Sequence, residues 1–298
     1  MRATVVGCGF SGLSCAVRLL EAGFEVTVVA REAPGETVSA VAGGLWLPYE
    51  VGPLDRVAAW GAATYRELEA RGAELVDALL LGAGPPWWAD ALPAGRVRVV
   101  PEGVLLTAPL VETPRYLDGL LAQVRELGGG FERRVLGELG EATGDLVVNC
   151  AGLGARELCG DAALEPVRGV VVHVRPRAGA RPRTLVREQD LAYVLPRGDV
   201  CILGGSAERG AREATTDSET VAGILERCRA LEPELEGCEV LGAHAGLRPA
   251  RTEVRLEAER MPDGRPLIHD YGHGGGGLTL SWGCADEVAG LAAGLTGR

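Results

Sequence analysis

Apolar and polar positions along the first thirty residues follow two periods. Residues 3–6 (ATVV) form a short apolar run. Leu13, Ala16, Val17 and Leu20 then recur at helical spacing, and Gly23 stands where a helix C-cap belongs. Residues 25–29 (EVTVV) form a second strand-like run. Strand, glycine turn, helix and strand within about 28 residues match the size of a βαβ opening. Further on, the pattern predicts a loop from Gly43 to Tyr49, a helix over 55–71, turns at 82–86 and 93–95, and strands near 96–100 and 103–107. Thr113-Pro114 reads as a helix start, a capping hydroxyl followed by proline. The buried stripe of that helix is Leu117, Leu120, Leu121, Val124 and Leu127, and Gly128 to Gly130 end it. Strands near 131–136 and 145–149 follow.

From residue 166 the pattern changes. Short runs at 167–174, 184–186, 191–196 and 199–204 read as antiparallel strands, with PRGD at 196–199 as a hairpin turn. Thr216 and Glu219 form a capping box for a helix with Val221, Ile224, Leu225 and Cys228 on one face. A last helix covers 281–295. The class is therefore α/β, a Rossmann-like part interleaved with a part built on a mixed or antiparallel sheet.

Composition narrows the partners. At 298 residues the chain can form one large domain or two built into each other. The net charge of −11 speaks against nucleic acid and anionic membranes as partners. No apolar run reaches the ~18 residues of a membrane span, and the first run breaks at Gly7, too short for a signal peptide. Every basic residue is arginine and Asn149 is the single asparagine, as expected of a GC-rich genome or a heat-adapted, thermostable protein. The eight cysteines are scattered without CxxC or Cys/His clusters. No metal site is expected, and the thiols suit a reducing, cytoplasmic compartment.

Two glycine-marked strand ends carry the first chemistry. GCGFSG (Gly7, Gly9, Phe10, Ser11, Gly12) joins the first strand to the first helix. Free N–H groups and the positive helix end make such a turn a cradle for pyrophosphate. The acid that binds ribose in this arrangement is replaced by Ala30, with Arg31 and Glu32 just after; Glu32 or the backbone could serve the ribose, and Arg31 could instead reach a phosphate. A second strand runs into GxG in VVNCAGLGA, Val147 to Ala155. It could be another crossover of a single-nucleotide domain, but it also resembles a motif of large FAD-binding domains, and two such motifs ~140 residues apart then favour FAD over NAD.

GLWLPY (Gly44 to Tyr49), VVNCAGLGA, LAYVLPRG (Leu191 to Gly198), GLRPAR (Gly246 to Arg251) and YGHGGGGLTLSWGCA (Tyr271 to Ala285) stand in the order found in D-amino-acid oxidases, and nearly the whole chain resembles that family. The resemblance implies an FAD-binding domain at 1–75, 112–165 and 240–298, interleaved with a substrate domain at 76–111 and 166–239. It implies oxidative deamination of a D-amino acid by hydride transfer to flavin, with oxygen as acceptor and hydrogen peroxide as product. Arg248 matches the family's carboxylate-binding arginine and Tyr193 the tyrosine that supports it. Gly275 matches a residue whose carbonyl accepts from the substrate amino group. Gly274 and Gly277 belong to the run along the flavin ring, with Leu278 and Thr279 at the following helix start. Ser39 is implied near the pyrophosphate, Gly43, Gly44 and Leu45 near the flavin, and the Val135 backbone at adenine. His273 is read as structural.

The family's eukaryotic members carry a second tyrosine on a lid loop. The corresponding segment here, VREQD (Val186 to Asp190), is short and lacks one. Leu47 and Leu195 are expected in the side-chain pocket, which favours neutral apolar substrates. Arg187 lies near the pocket arginine of D-aspartate oxidase and keeps that alternative open. Glycine or sarcosine oxidation, a nicotinamide-dependent dehydrogenase and a non-catalytic nucleotide module are the other readings. The expected partners are the D-amino acid and oxygen; a homodimer is allowed, but the pattern does not fix the oligomeric state.

Overall fold

The computed structural model describes residues 1–296. Its strands are β1 (Arg2–Val6), β2 (Glu25–Ala30), β3 (Glu74–Leu81), β4 (Val97–Val100), β5 (Gly103–Leu110), β6 (Gly130–Arg133), β7 (Leu146–Asn149), β8 (Glu165–Arg175), β9 (Thr184–Arg187), β10 (Ala192–Arg197), β11 (Val200–Gly204), β12 (Glu208–Arg209), β13 (Glu239–Arg260) and β14 (Pro266–His273). The helices are α1 (Phe10–Glu21), α2 (Val38–Val41), α3 (Leu54–Ala70), α4 (Thr113–Glu126), α5 (Ala155–Leu158), α6 (Ser218–Leu231) and α7 (Gly277–Thr296).

One continuous sheet runs β4-β5-β3-β9-β10-β11-β8-β13-β14-β7-β1-β2-β6, with β12 added beside β8. From β14 to β6 all pairs are parallel, the Rossmann-like half. From β8 through β11 and β10 to β9 the pairs are antiparallel. β3 joins β9 in parallel and β5 in antiparallel sense, so this half is mixed. β13 connects the two halves. Its first part, Glu239 to Ala250, pairs with β8; its second, Ala250 to Arg260, pairs with β14. A 22-residue strand is therefore the shared wall of both halves.

β1 and β7 are short, apolar and almost wholly buried, as strands covered on both faces must be. α1 and α3 pack on α7, and their apolar faces close over Trp46, Tyr65 and Trp282 in the main core. A second core lies under α6, where Ile224 and Cys228 meet Val172, Val194 and Leu203 of the antiparallel strands.

Several expectations need correction. The helix after Glu112 contains Thr113, whose hydroxyl donates to the carbonyls of Ala40 (2.8 Å) and Ala42 (3.2 Å) instead of capping its own helix. Leu127 follows the end of α4 and is 43% exposed, outside the stripe. The cap of α6 is Asp217, not Thr216; its carboxylate accepts from the Thr220 N–H at 2.7 Å. α7 begins at Gly277, four residues before 281, because the last glycine of the run already takes helical geometry. β3, β13 and β14 have no counterpart in the pattern. Only Gly246, Val254 and Leu256 of β13 are buried, so it presents no apolar stripe to read. All eight cysteines are free, seven of them buried.

Candidate active site

One cavity of about 530 Å³ runs from the glycine turn after β1 to Arg248 on β13. At its first end β1 lies between β2 and β7, and all three strands point the same way. Gly7 has φ +111, and a Cβ there would sit 2.3 Å from the Cys150 carbonyl oxygen. A Cβ at Gly12 would sit 2.1 Å from the Gly7 carbonyl oxygen. Both glycines allow close contact between α1 and the strands. Gly9 differs: its Cβ would meet only the Ser39 hydroxyl, at 2.7 Å. That hydroxyl accepts from the Phe10 N–H at 3.2 Å. Gly9, Phe10, Ser11 and Ser39 all face the cavity at the N-terminus of α1, where N–H groups lack helical partners and the dipole favours an anion.

Arg31 and Glu32 pair with each other at 2.6 Å at the edge of the same end. The Cys8 thiol donates to the Glu32 carbonyl (3.1 Å), and burial together with the Glu32 and Glu36 charges pushes it up to about 12. The second glycine motif lies opposite, with Gly152 and Gly154 in the lining. The residues thus fit a dinucleotide: backbone donors at a helix start, and a cradle that a Cβ at Gly9 would begin to fill. Val135 is 65% exposed and lies outside the lining, as do Gly12 and Thr279. The Thr279 hydroxyl instead bonds the Leu47 N–H (3.1 Å) and carbonyl (3.0 Å), tying the GLWLPY segment to the start of α7.

The middle of the cavity is made by Gly43, Gly44 and Leu45. Gly44 has φ +89, with the Val111 carbonyl oxygen 2.1 Å from a would-be Cβ. A Cβ at Gly43 would lie 2.7 Å from Leu195 Cδ1, so Gly43 leaves the space that Leu195 occupies.

At the far end, side chains rest on glycines of neighbouring strands. Arg248 stands opposite Val167 in the β13–β8 ladder, and its guanidinium folds over Gly169; a Cβ there would sit 2.3 Å from Cζ. Its Nη1 donates to the Ser206 carbonyl at 2.9 Å, which fixes the group from behind. Tyr193 faces Gly204 in the β10–β11 ladder, and a Cβ at Gly204 would sit 1.8 Å from its Cζ. Burial raises the Tyr193 phenol, and the nearby Arg248 charge offsets this only in part. The hydroxyl therefore stays a donor at neutral pH.

The glycine run is held against this pair. The Gly274 N–H donates to the Pro249 carbonyl at 2.9 Å, directly after Arg248 in sequence. Gly274, Gly275 and Gly277 line the cavity, as does Leu278. A Cβ at Gly275 would stand 3.1 Å from the Tyr49 ring. Tyr49 was not singled out in the sequence, although it closes the GLWLPY motif. It lines the cavity, and burial and the Glu50 charge raise its phenol against the pull of Arg248.

Leu47, Leu195 and Arg187 are also in the lining. Arg187 is engaged by its own turn: Nε and Nη2 donate to the two oxygens of Asp190 at 3.0 and 2.7 Å.

Asp270, missed in the sequence, joins the two ends. It is fully buried; Ser11 and Cys15 donate to its carboxylate, and His273 Nε2 faces it at 3.2 Å. Burial alone would raise this carboxyl, but the His273 ring and the two donors outweigh burial and hold it below the usual range. His273 thus has a structural partner. Among the described residues, Cys15 and Cys150, or His273 and Cys284, come within 4.8 Å of Asp270 as potential metal ligands. Burial pushes the Cys15 and Cys284 thiols well up, so both hold their protons.

Comparison with known proteins accords with this geometry. A family model described as FAD dependent oxidoreductase matches residues 2–84 and 88–291. D-amino-acid oxidase of Rubrobacter xylanophilus is 45% identical over 312 aligned positions, covering 98% of this chain and 95% of that protein. D-amino-acid oxidase of Streptomyces coelicolor is 42% identical, covering 97% and 95%. Among solved structures, glycine oxidase of Bacillus cereus superposes with a TM-score of 0.82 at 20% identity, covering 99% of this chain and 95% of that one; at such identity the likeness is one of fold.

Proposed function

The chain belongs to the D-amino-acid oxidase family of FAD-dependent oxidoreductases, and from that premise we propose how its own residues oxidise a D-amino acid. FAD is the cofactor. The bound flavin supplies the two-electron oxidation and passes the electrons to oxygen, giving hydrogen peroxide. The imino acid released is hydrolysed by water to a 2-oxo acid and ammonia.

The observation that carries the reading is convergence. Arg248, Tyr193 and the exposed backbone of Gly275 face one cavity that is continuous with the dinucleotide cradle. Arg248 offers its remaining N–H groups to the substrate carboxylate, with Ser206 holding the guanidinium in place. Tyr193, kept protonated by burial, donates to the same carboxylate. The Gly275 carbonyl accepts from the substrate amino group. Two substituents of Cα are then fixed at two walls. The third direction is left for the side chain and the fourth for the departing hydrogen, so only one enantiomer presents hydrogen to the cradle. The N-terminus of α7 adds a positive dipole end beside the glycine run.

Leu47 and Leu195 make the side-chain wall apolar, which supports neutral D-amino acids as substrates. The bidentate hold of Asp190 on Arg187 argues against a pocket built for D-aspartate. The same reading takes the protein as cytoplasmic and allows a homodimer. Eight unpaired thiols suit a reducing compartment, and sedimentation of the holoenzyme tests the dimer.

The purified protein is expected to show a flavin spectrum and, with D-alanine, to release peroxide in equal amount to the oxygen consumed. A colourless protein indifferent to oxygen overturns the reading.

A further inference from the structure

The chain has four histidines, and two of them are held by polar partners: His269 lies between Asn149 (3.2 Å) and Glu259 (2.9 Å), and His273 faces Asp270. The other two, His173 on β8 and His244 on β13, have no hydrogen bond or ion pair to their rings among the described residues. They lie against each other, with ring centroids 4.5 Å apart and planes inclined by 51°. Neither lines the cavity, so the pair is independent of the chemistry proposed above. Strand register brings the rings together. β8 and β13 run antiparallel, with His244 opposite Val171 and Gly242 opposite His173, so the histidines are diagonal neighbours on one face. Val172, Val174, Ala243 and Ala245 point the other way, into the core under α6. The register shifts between Val240 and Gly242, and this irregularity sets a glycine, not Leu241, opposite His173. A Cβ at Gly242 would stand 3.8 Å from His244 Nε2, so that nitrogen reaches back over the residue facing His173.

We propose that His173 and His244 form a two-imidazole site for a divalent transition metal that favours nitrogen ligands, of the zinc, nickel or copper(II) class, and that the metal clamps β8 to β13. His173 is half-buried and His244 exposed, so the metal arrives from solvent and keeps water at its remaining positions. Burial, together with the His244 and Arg197 charges, lowers His173 to about 4, which leaves its ring neutral and able to ligate at neutral pH. Arg197 turns its guanidinium to the Val111 carbonyl and the Thr113 hydroxyl, both at 3.3 Å. Glu239, further along the same face, is held by Arg175 at 2.5 Å. Two neutral imidazoles beside a guanidinium suit a metal that binds nitrogen strongly; they do not suit magnesium or calcium, which take several oxygens. His173 stands four residues after Gly169, and His244 four before Arg248, on the same face of the same two strands. The metal therefore pins the ladder on which the Arg248 guanidinium rests.

The test titrates the untagged holoenzyme with Ni2+ by calorimetry and, separately, adds one equivalent of Cu2+ for electron spin-echo spectroscopy, which counts the coupled imidazoles. Wild type is expected to bind one Ni2+, to show two imidazoles on Cu2+ and to give no heat with Mg2+. His173→Ala and His244→Ala are each expected to weaken Ni2+ binding about 100-fold, because the second ligand no longer acts at high effective concentration, and to show at most one imidazole. At saturating Ni2+ the wild-type melting temperature should rise by about 3–5 °C, and the variants should not follow. His244 is exposed, so its replacement should leave flavin content as in wild type, and this variant decides even where loss of the half-buried His173 loosens the sheet. Absence of Ni2+ binding in wild type, an affinity unchanged in His244→Ala, or a wild-type Cu2+ spectrum with fewer than two imidazoles overturns the proposal.

Discussion

The two ends of the cavity use glycine for opposite purposes. At the dinucleotide end, glycine removes side chains so that backbone can face the ligand: Gly9 meets nothing but the Ser39 side chain, and the donors are main-chain N–H groups at the start of α1. At the substrate end, glycine serves as a seat for a functional side chain: Gly169 lies under Arg248, and Gly204 under Tyr193. The first end recognises by backbone and dipole, which any anion of the right shape can use. The second, in the proposed reading, recognises by planar donors and a fixed hydroxyl, which discriminate one functional group from another. Substitutions at the two ends should therefore separate cofactor affinity from turnover.

The largest effect is expected for Arg248→Ala. A carboxylate clamp of this kind is worth about 2–4 kcal/mol, or roughly 30- to 1000-fold in kcat/KM. The flavin spectrum and FAD content should stay as in wild type; near-normal turnover would remove Arg248 from its role. Next is Gly204→Ala. Its methyl group would occupy the place of the Tyr193 ring, and displacing that ring by about 1 Å should cost up to about 100-fold in kcat/KM. Retention of FAD, checked by spectrum, would place the loss at the substrate end, and an unchanged kcat/KM would show that Tyr193 need not be seated there.

A smaller effect is expected at the other end. Gly9→Ala meets only a side-chain hydroxyl, so the fold should survive, while FAD affinity falls about tenfold and kcat at saturating FAD holds. Titration of the apoprotein with FAD measures this, and a loss confined to kcat would break the division between the ends. The smallest effect concerns Asp270, which joins them. Its folded-state pKa lies below the usual 3.8, so its stabilising contribution is present above that value and is lost as pH falls through the lower folded pKa. Thermal melts should lose this acid-side decline in Asp270→Asn, and an identical profile in the variant would show that the carboxylate is not ionised in the fold.

What the chain discloses in advance follows the range of the interactions. The glycine turn at Gly7 to Gly12, the Thr113-Pro114 helix start and the glycine run before α7 are marked by residues close together in the chain, and each appears near its expected place, although Gly7 packs on Cys150 and Thr113 bonds Ala40 and Ala42. Arg248, Tyr193 and Gly275 were accessible only through resemblance, and the structure brings all three to one cavity. Gly169 and Gly204 left no local sign, because their function is set by strand register across the sheet. β13 was hidden for a related reason. Its residues face the cavity or solvent over most of their length, so the alternation that marks a half-buried strand is missing. Tyr49 stood inside a quoted motif and Asp270 directly before one, but their roles depend on partners more than 200 residues away, Gly275 and Ser11.

Anaerobic rapid mixing of the holoenzyme with D-alanine and, separately, L-alanine reads the central geometry most directly. With the carboxylate held at Arg248 and the amino group at Gly275, D-alanine should bleach the flavin absorbance at a rate at least as fast as turnover, and L-alanine should leave it oxidised. Bleaching by L-alanine at a comparable or greater rate would mean that the two walls do not fix the substrate as described.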